Sequence, residues 1–201
     1  MVHTKKDKYD VSDLILQAAK KLFVENGVAQ TTIRSIATAI GYSVGTVYVY
    51  FKDKDAILHA LHIQGFTQLG AQFAVLTKVT EPMERLKAMG RIYIDFALQN
   101  PDMYDLMFNL KAPISFVHDT ANKDWKEGAS TFNALKSCVT DCVKAGYFKG
   151  GEVDALSFMI WSTVHGMCSL QISERSGSVQ LKNASTILKR AFDAFTHIID
   201  P

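Results

Sequence analysis

Residues 31–54, TTIRSIATAIGYSVGTVYVYFKDK, constrain this chain more than any other stretch. Ile33, Ile36, Ala37 and Ile40 recur at helical spacing behind Thr31 as the expected cap, Gly41 interrupts them, and a second short helix opens at Ser43. Two short helices joined by a tight Gly-containing turn are the pattern of a helix-turn-helix, whose second helix is shaped for the major groove of DNA. Upstream, Ile15, Ala18, Ala19, Leu22 and Phe23 predict a helix that begins near Ser12 and stops at Gly27. Three such stripes can close a small three-helix core.

Beyond this stretch the periodicity stays helical and no strand pattern appears. Asp53 caps a helix expected over 54–77. Pro82 opens one that runs to about Gln99, and Asn100-Pro101 separates it from a short helix, PDMYDLMFNL. Residues 111–121 read as a loop. Further helices are expected over about 122–147, 152–174 and 181–199, with RSGSVQ at 175–180 as a connection. The expected fold is all-α with about nine helices: an N-terminal helix-turn-helix domain over 1–54, and a larger helical domain over 55–201.

Composition narrows the function classes. Residues 1–55 hold eight Lys/Arg against six Asp/Glu, and the remainder is balanced, so the small cationic excess lies beside the helix-turn-helix. Three cysteines, an odd number with no disulfide framework, suit a reducing cytoplasm. The start, MVHTKKDKYD, lacks the apolar core of a signal peptide and reads as a basic arm. Residues 155–173 contain no Asp, Glu, Lys or Arg over about one bilayer-spanning length. Seven interruptions, Ser157, Ser162, Thr163, His165, Gly166, Ser169 and Gln171, favour a buried helix over a membrane span, so no membrane partner is expected.

At 100° per residue, Val47, Tyr50 and Phe51 of the second short helix cluster toward the core. Val44, Gly45, Thr46, Tyr48 and Val49 then face outward. Thr and Tyr hydroxyls can donate to phosphate oxygens, and Lys52 and Lys54 add charge beside them. That outward face holds no Arg, Lys, Asn or Gln for bidentate base contacts, so Arg34 on the preceding helix becomes the candidate for a guanine. Sequence preference would then rest on Arg34, apolar contacts and DNA shape. A structural helix pair without nucleic acid remains the alternative.

Residues 12–61 resemble the DNA-binding domain of the tetracycline-repressor (TetR) family of bacterial transcription regulators. The carrying stretch is ILQAAKKLFVENGVAQTTIRSIATAIGYSVGTVYVYFKDKDAIL, particularly its LF, G, TTI, IA, G, S, GT, Y, YF and K in order. The resemblance implies phosphate contacts by Thr32, Ser43, Thr46, Tyr48 and Lys54, and groove contacts by Val44, Gly45 and Arg34. Tyr42 stands where the family often has Val. The resemblance also implies a homodimer whose C-terminal domain takes a small-molecule effector that changes the separation of the two readers. W-S-T-V-H-G at 161–166, with P-D-M-Y-D-L-M-F upstream, is similar to one C-terminal subgroup.

Dimerisation is expected to use the last two long helices. Ile187, Leu188, Ala191, Phe192 and Phe195 lie in helical register on one, and Ser162 and Gly166 are four apart on the other. An effector pocket would draw on Phe96, Tyr104, Met107, Phe108, Trp125, Phe132, Met159, Trp161 and His165, a lining suited to a largely apolar or aromatic molecule. Ordinary core packing is the competing account of the same residues.

Other signals point to less. Cys138 and Cys142 are one turn apart, but no clustered Lys, Arg or His in the sequence marks a reactive thiol, so buried inert cysteines are expected with Cys168 on another helix. His59 and His62 do not complete a metal site. No cofactor, metal or catalytic motif is expected. The favoured function is a ligand-released DNA-binding repressor. Alternatives are a DNA-binding regulator or organiser controlled by a protein or by no ligand, and a helical enzyme or lipid-binding bundle.

Overall fold

The computed structural model describes residues 5–109 and 126–200. All regular structure among them is helical, as the periodicity indicates: α1 (Lys5–Asn26), α2 (Ile33–Ala39), α3 (Val44–Tyr50), α4 (Lys54–Ala74), α5 (Pro82–Gln99), α6 (Pro101–Phe108), α7 (Lys126–Lys144), α8 (Val153–Ile172) and α9 (Ile187–Ile199). Short 3-10 turns cover Val75–Lys78, Arg175–Ser178 and Ala184–Thr186. The loop predicted over 111–121 lies outside the described residues.

Local chemistry explains most boundaries. Gly27 and Gly41 take φ of 80° and 72°, a conformation that costs glycine little, and so end α1 and α2. Glu81 caps α5 by accepting from the Glu84 N–H at 2.6 Å, with Pro82 in the first position, where its missing N–H costs no bond. Glu152 does the same for α8, accepting from the N–H groups of Asp154 and Ala155.

Several expected ends move. Helix α1 starts upstream of Ser12, since no Gly or Pro interrupts the chain between Lys5 and Ser12. Thr32, not Thr31, caps α2: its hydroxyl accepts from the Ser35 N–H while Ser35 Oγ accepts from the Thr32 N–H. Thr31 instead turns inward and donates to the carbonyls of Leu22 and Gly27. Helix α9 begins at Ile187 rather than near Leu181, because Asn183 takes φ of 57° and a 3-10 turn intervenes.

The chain divides into two compact units, Met1–Phe66 with Asp102–Trp125, and Thr67–Pro101 with Lys126–Pro201. In the first, Ile15, Ala19 and Phe23 of α1 meet Ile36, Ala37 and Val47 in a small closed core. A further layer forms where His62 Nε2 lies 3.1 Å from the Met107 carbonyl and Phe66 stacks edge-on against Phe108. In the second unit, α5, α7 and α8 pack mutually and α9 lies on α8.

Helix α8 departs from the expectation of a buried helix. Only one stripe, Ser157, Ile160, Val164 and Cys168, is buried; Phe158, Met159 and Leu170 lie exposed on the opposite side. Among the described residues no helix is long and apolar enough to cross a membrane.

Candidate nucleic-acid interface

The turn from α2 into α3 sets the face. Ser43 caps α3, accepting from the Thr46 N–H at 3.0 Å, and the Ser43 and Thr46 hydroxyls share a further hydrogen bond of 2.9 Å. One hydroxyl proton of that pair satisfies the other oxygen, which leaves the second proton free to donate outward. Val47 is completely buried, while Tyr48 is 53% and Val49 70% exposed. Gly45 is exposed, with open space beyond its own cap, and Val44 and Thr46 are half-buried beside it. Tyr48 and Val49 are neighbours on this face, so their apolar surface is contiguous with the hydroxyls of Ser43 and Thr46.

Around this face lie the other predicted residues. Thr32 and Arg34 are exposed at the start of α2, and Lys52 is exposed with its ammonium 3.9 Å from Asp53. The structure therefore brings Thr32, Arg34, Ser43, Val44, Gly45, Thr46, Tyr48, Val49 and Lys52 to one unit.

Lys54 is different. Its ammonium donates to the carbonyls of Val28, Ala29 and Thr31, at 2.5, 3.4 and 3.0 Å. The ammonium is thereby held at the turn between α1 and α2. Sequence spacing placed this lysine beside the reader but could not say which way its four-carbon stem would point.

The predicted effector residues that the structure describes are divided between the two units. Tyr104, Met107 and Phe108 belong to the first unit, packed with His62 and Phe66. Phe96, Phe132, Trp161 and His165 belong to the second, where the Trp161 ring centroid lies 5.7 Å from Phe132 and 5.8 Å from His165. Met159 is exposed, since it falls off the buried stripe of α8. Trp125 lies outside the described residues.

Tyr93 on α5 was missed. Its hydroxyl sits 2.9 Å from His165 Nδ1 and accepts from the Trp161 indole N–H at 3.4 Å, giving the aromatic group a polar centre. Burial holds His165 below the usual histidine range. A separate cleft of about 450 Å³ in the second unit is lined by Arg91, Ile94, Asp95, Gln171, Lys189 and Phe192 among others. None of the nine predicted effector residues lines it, and its charged rim differs from the apolar pocket expected.

Of the predicted interface residues, Ser162 is exposed and Gly166, Ile187, Leu188, Ala191 and Phe195 are half-buried. Phe192 is taken into its own subunit: it is 4% exposed, seated against Gly90, where an added Cβ would come within 2.6 Å of its ring. It offers no surface to a partner. Among the described residues no group of three or more His, Cys, Asp or Glu could hold a metal, and His62 is a packing residue.

A helix-turn-helix with an outward apolar and hydroxyl face, joined to a second all-helical unit, is the architecture of a DNA-reading protein. Residues 15–61 match the model of the bacterial regulatory proteins of the tetR family, and residues 86–195 match a tetracyclin repressor-like C-terminal domain. The chain belongs to the tetracycline-repressor family. It is 31% identical over 104 residues to an HTH-type transcriptional regulator of Mycobacterium tuberculosis, covering 51% of this chain and 52% of that protein. The chain thus spans about half the length of that curated relative. Among solved structures, a fatty acid degradation regulator from Bacillus halodurans is 17% identical, over 92% of this chain and 94% of its own, with a TM-score of 0.73. A Bacillus subtilis regulator in complex with stearoyl-CoA is 18% identical over 90% and 95%, with a TM-score of 0.71. At these identities the likeness is one of fold.

Proposed function

We propose that this protein is a cytoplasmic transcriptional repressor that binds operator DNA as a homodimer and releases it when a small, largely apolar or aromatic molecule occupies the second unit. The outward face of α3, with Tyr48 and Val49 exposed beside a free hydroxyl proton, carries this reading. In it, Thr32, Ser43, Thr46, Tyr48 and Lys52 hold phosphates. Val44, Gly45 and Val49 approach the groove floor, and Arg34 reads a guanine. Lys54 supports the α1–α2 turn rather than gripping DNA.

Exposed Phe158, Met159 and Leu170 on α8 and Ile198 on α9, with Ser162 and Gly166 between, form the dimer face. The effector lies against Phe132, Trp161 and the Tyr93–His165 pair, and it shifts a population rather than bending a rigid body: it must bind the DNA-incompetent arrangement more tightly. Helix α4, which contributes residues to both units, carries the coupling. Trp161, His165 and Gly166 in the segment 161–166 support a C-terminal domain of the W-x-x-x-H-G subgroup. The stearoyl-CoA held by a fold neighbour puts acyl thioesters into the effector panel beside aromatic compounds.

The test is fluorescence anisotropy of purified protein with the DNA upstream of its own gene, across a salt series and the effector panel. Binding should weaken steeply with salt and be reversed by at least one compound that also raises the melting temperature. A dimer with no salt-dependent DNA binding would overturn the DNA reading. Binding that no compound reverses would leave a DNA organiser under other control.

A further inference from the structure

We propose that the cleft between α5 and α9 is a second ligand site, which takes an uncharged molecule with an apolar body and two amide groups, the pattern of a short extended peptide blocked at both ends. The cleft lies wholly within the second unit. At 100° per residue, Tyr93, which faces the His165 cluster, lies about 160° around α5 from Arg91 and Asp95 of the cleft. The effector site proposed above is therefore on the opposite side of that helix. Lys189 and Asp193 likewise lie about 140–180° around α9 from exposed Ile198, so a partner seated on Ile198 leaves the cleft open.

Two contacts fix how the helices run. Lys87 Nζ pairs with Asp200 at 2.5 Å, and Gly90 receives the ring of Phe192. Residue numbers rise along α5 as they fall along α9, so the two helices are antiparallel. Continuing that register sets Arg91 opposite Asp193 and, one turn on, Asp95 opposite Lys189. Each wall thus carries one cation and one carboxylate, and each charge faces its opposite. Among the described residues none of these four side chains makes an ion pair or a hydrogen bond. A gap of about 450 Å³ lies between them, within the range of small-molecule pockets.

Charge decides the class of ligand. At each level the positive and negative groups cancel, so a carboxylate or phosphate drawn to Arg91 is repelled by Asp193 across the gap. A group that donates and accepts at once suits both walls. One amide carbonyl accepts from Arg91 while its N–H donates to Asp193, and a second amide does the same with Lys189 and Asp95. Gln171 and Ser185, also at the cleft, can each do both. Four residues of helix rise about 6 Å, and two residues of extended peptide span about 6.6–7.2 Å. Alternate amides of a peptide point the same way and so meet the two levels in turn. Between them the floor is apolar, made by buried Ile94 and Phe192 with Leu98 and Leu188 at its edge.

The experiment titrates N-acetyl-leucyl-leucinamide, whose outer amides are two residues apart, into the full chain by isothermal titration calorimetry. Binding should saturate at one molecule per chain with a Kd below about 1 mM. N-acetyl-leucyl-leucine, which ends in a carboxylate, should bind about tenfold more weakly, and Asp95→Asn should weaken the amide probe by about the same factor through one lost charge-assisted bond. Arg91→Asp should abolish binding by setting two carboxylates face to face. Adding Asp193→Arg to that variant should restore it, a rescue that general damage to the fold would not allow. Leu98→Trp should fill the cleft and block binding while circular dichroism stays unchanged. The proposal is overturned by no saturable binding to the wild type, which is what closure of the two ion pairs in solution would produce. It is equally overturned by a carboxylate probe that binds as tightly, by undiminished binding to folded Leu98→Trp, or by no rescue in a folded double variant.

Discussion

Lys54 and Lys52 look alike in the sequence, two residues apart in FKDK, yet the structure separates them. Lys54 donates to three carbonyls of the α1–α2 turn, whereas Lys52 is exposed near Asp53. Because hydrogen bonds to a charged group are worth about 1.5–3 kcal/mol, Lys54→Met should lower the melting temperature clearly. Lys52→Met should leave stability alone and flatten the salt dependence of DNA binding by about one unit of slope. Paired thermal melts and anisotropy salt series distinguish them. His165 supplies a pH dependence. Burial lowers its pKa in the folded state, so the unfolded chain binds the proton more readily. Its contribution is complete above the unfolded value of about 6.5 and is lost as pH falls below that, at up to ~1.4 kcal/mol per pH unit. Urea titrations at pH 7.5 and pH 5 should show this loss in the wild type and a smaller one in His165→Gln. The direction in which a flexible side chain points was illegible in the sequence, since Lys54 and Lys52 have the same chemistry there. Tyr93 was missed for a related reason: its partners, His165 and Trp161, come from a helix about seventy residues away.

The helices themselves were largely legible, because a stripe such as Ile15, Ala19 and Phe23 encodes both the period and the buried side. Ends were harder. Thr31 and Thr32 are equal as caps by residue type, and only the inward hydrogen bonds of Thr31 to Leu22 and Gly27 decide between them. Thr32→Ala should therefore destabilise α2 by about 1 kcal/mol, the usual value of a lost N-cap, and Thr31→Val should cost about as much, since the half-buried Leu22 and Gly27 carbonyls lose one shared hydroxyl proton while the Thr31 N–H still reaches Gly27; chemical denaturation midpoints measure both. Helix α8 shows the other limit. Its charge-free stretch suggested complete burial, but a single chain covers only the Ser157, Ile160, Val164 and Cys168 stripe. The residue types on both faces are similar, so sequence alone did not reveal that one face was left open. Phe158→Glu and Ile198→Glu, on the exposed side, should each shift sedimentation from dimer to monomer while circular dichroism keeps its helical signal. Dimers that persist in both variants would place the interface elsewhere.

For the molecule as a whole, assembly and DNA reading are linked. A monomer presents one reader, so the Phe158→Glu variant should also lose most operator affinity without any change in α3. Arg34→Ala tests the reader directly. As a guanine contact it should cost about 1–3 kcal/mol per half-site and relax preference at one position. A uniform loss across DNA sequences would reassign Arg34 to phosphate. The site was legible to the extent that residue types and helix faces define it; contacts between helices distant in sequence, such as Tyr93 with His165, have no signature in local sequence.

The seat of Phe192 on Gly90 has a consequence for which stripe of α9 meets the outside. A helix lying on a bundle is held against rolling by the side chains it buries. The phenyl ring, lodged where α5 lacks a side chain, is one of these and holds Ala194 and Ile198 toward solvent. In the proposed dimer, the stripe of α9 offered to the partner would thereby be set by a glycine on α5. Gly90→Ala should overpack the socket by about 1–3 kcal/mol, and the turned α9 would show itself as altered subunit exchange before any loss of fold.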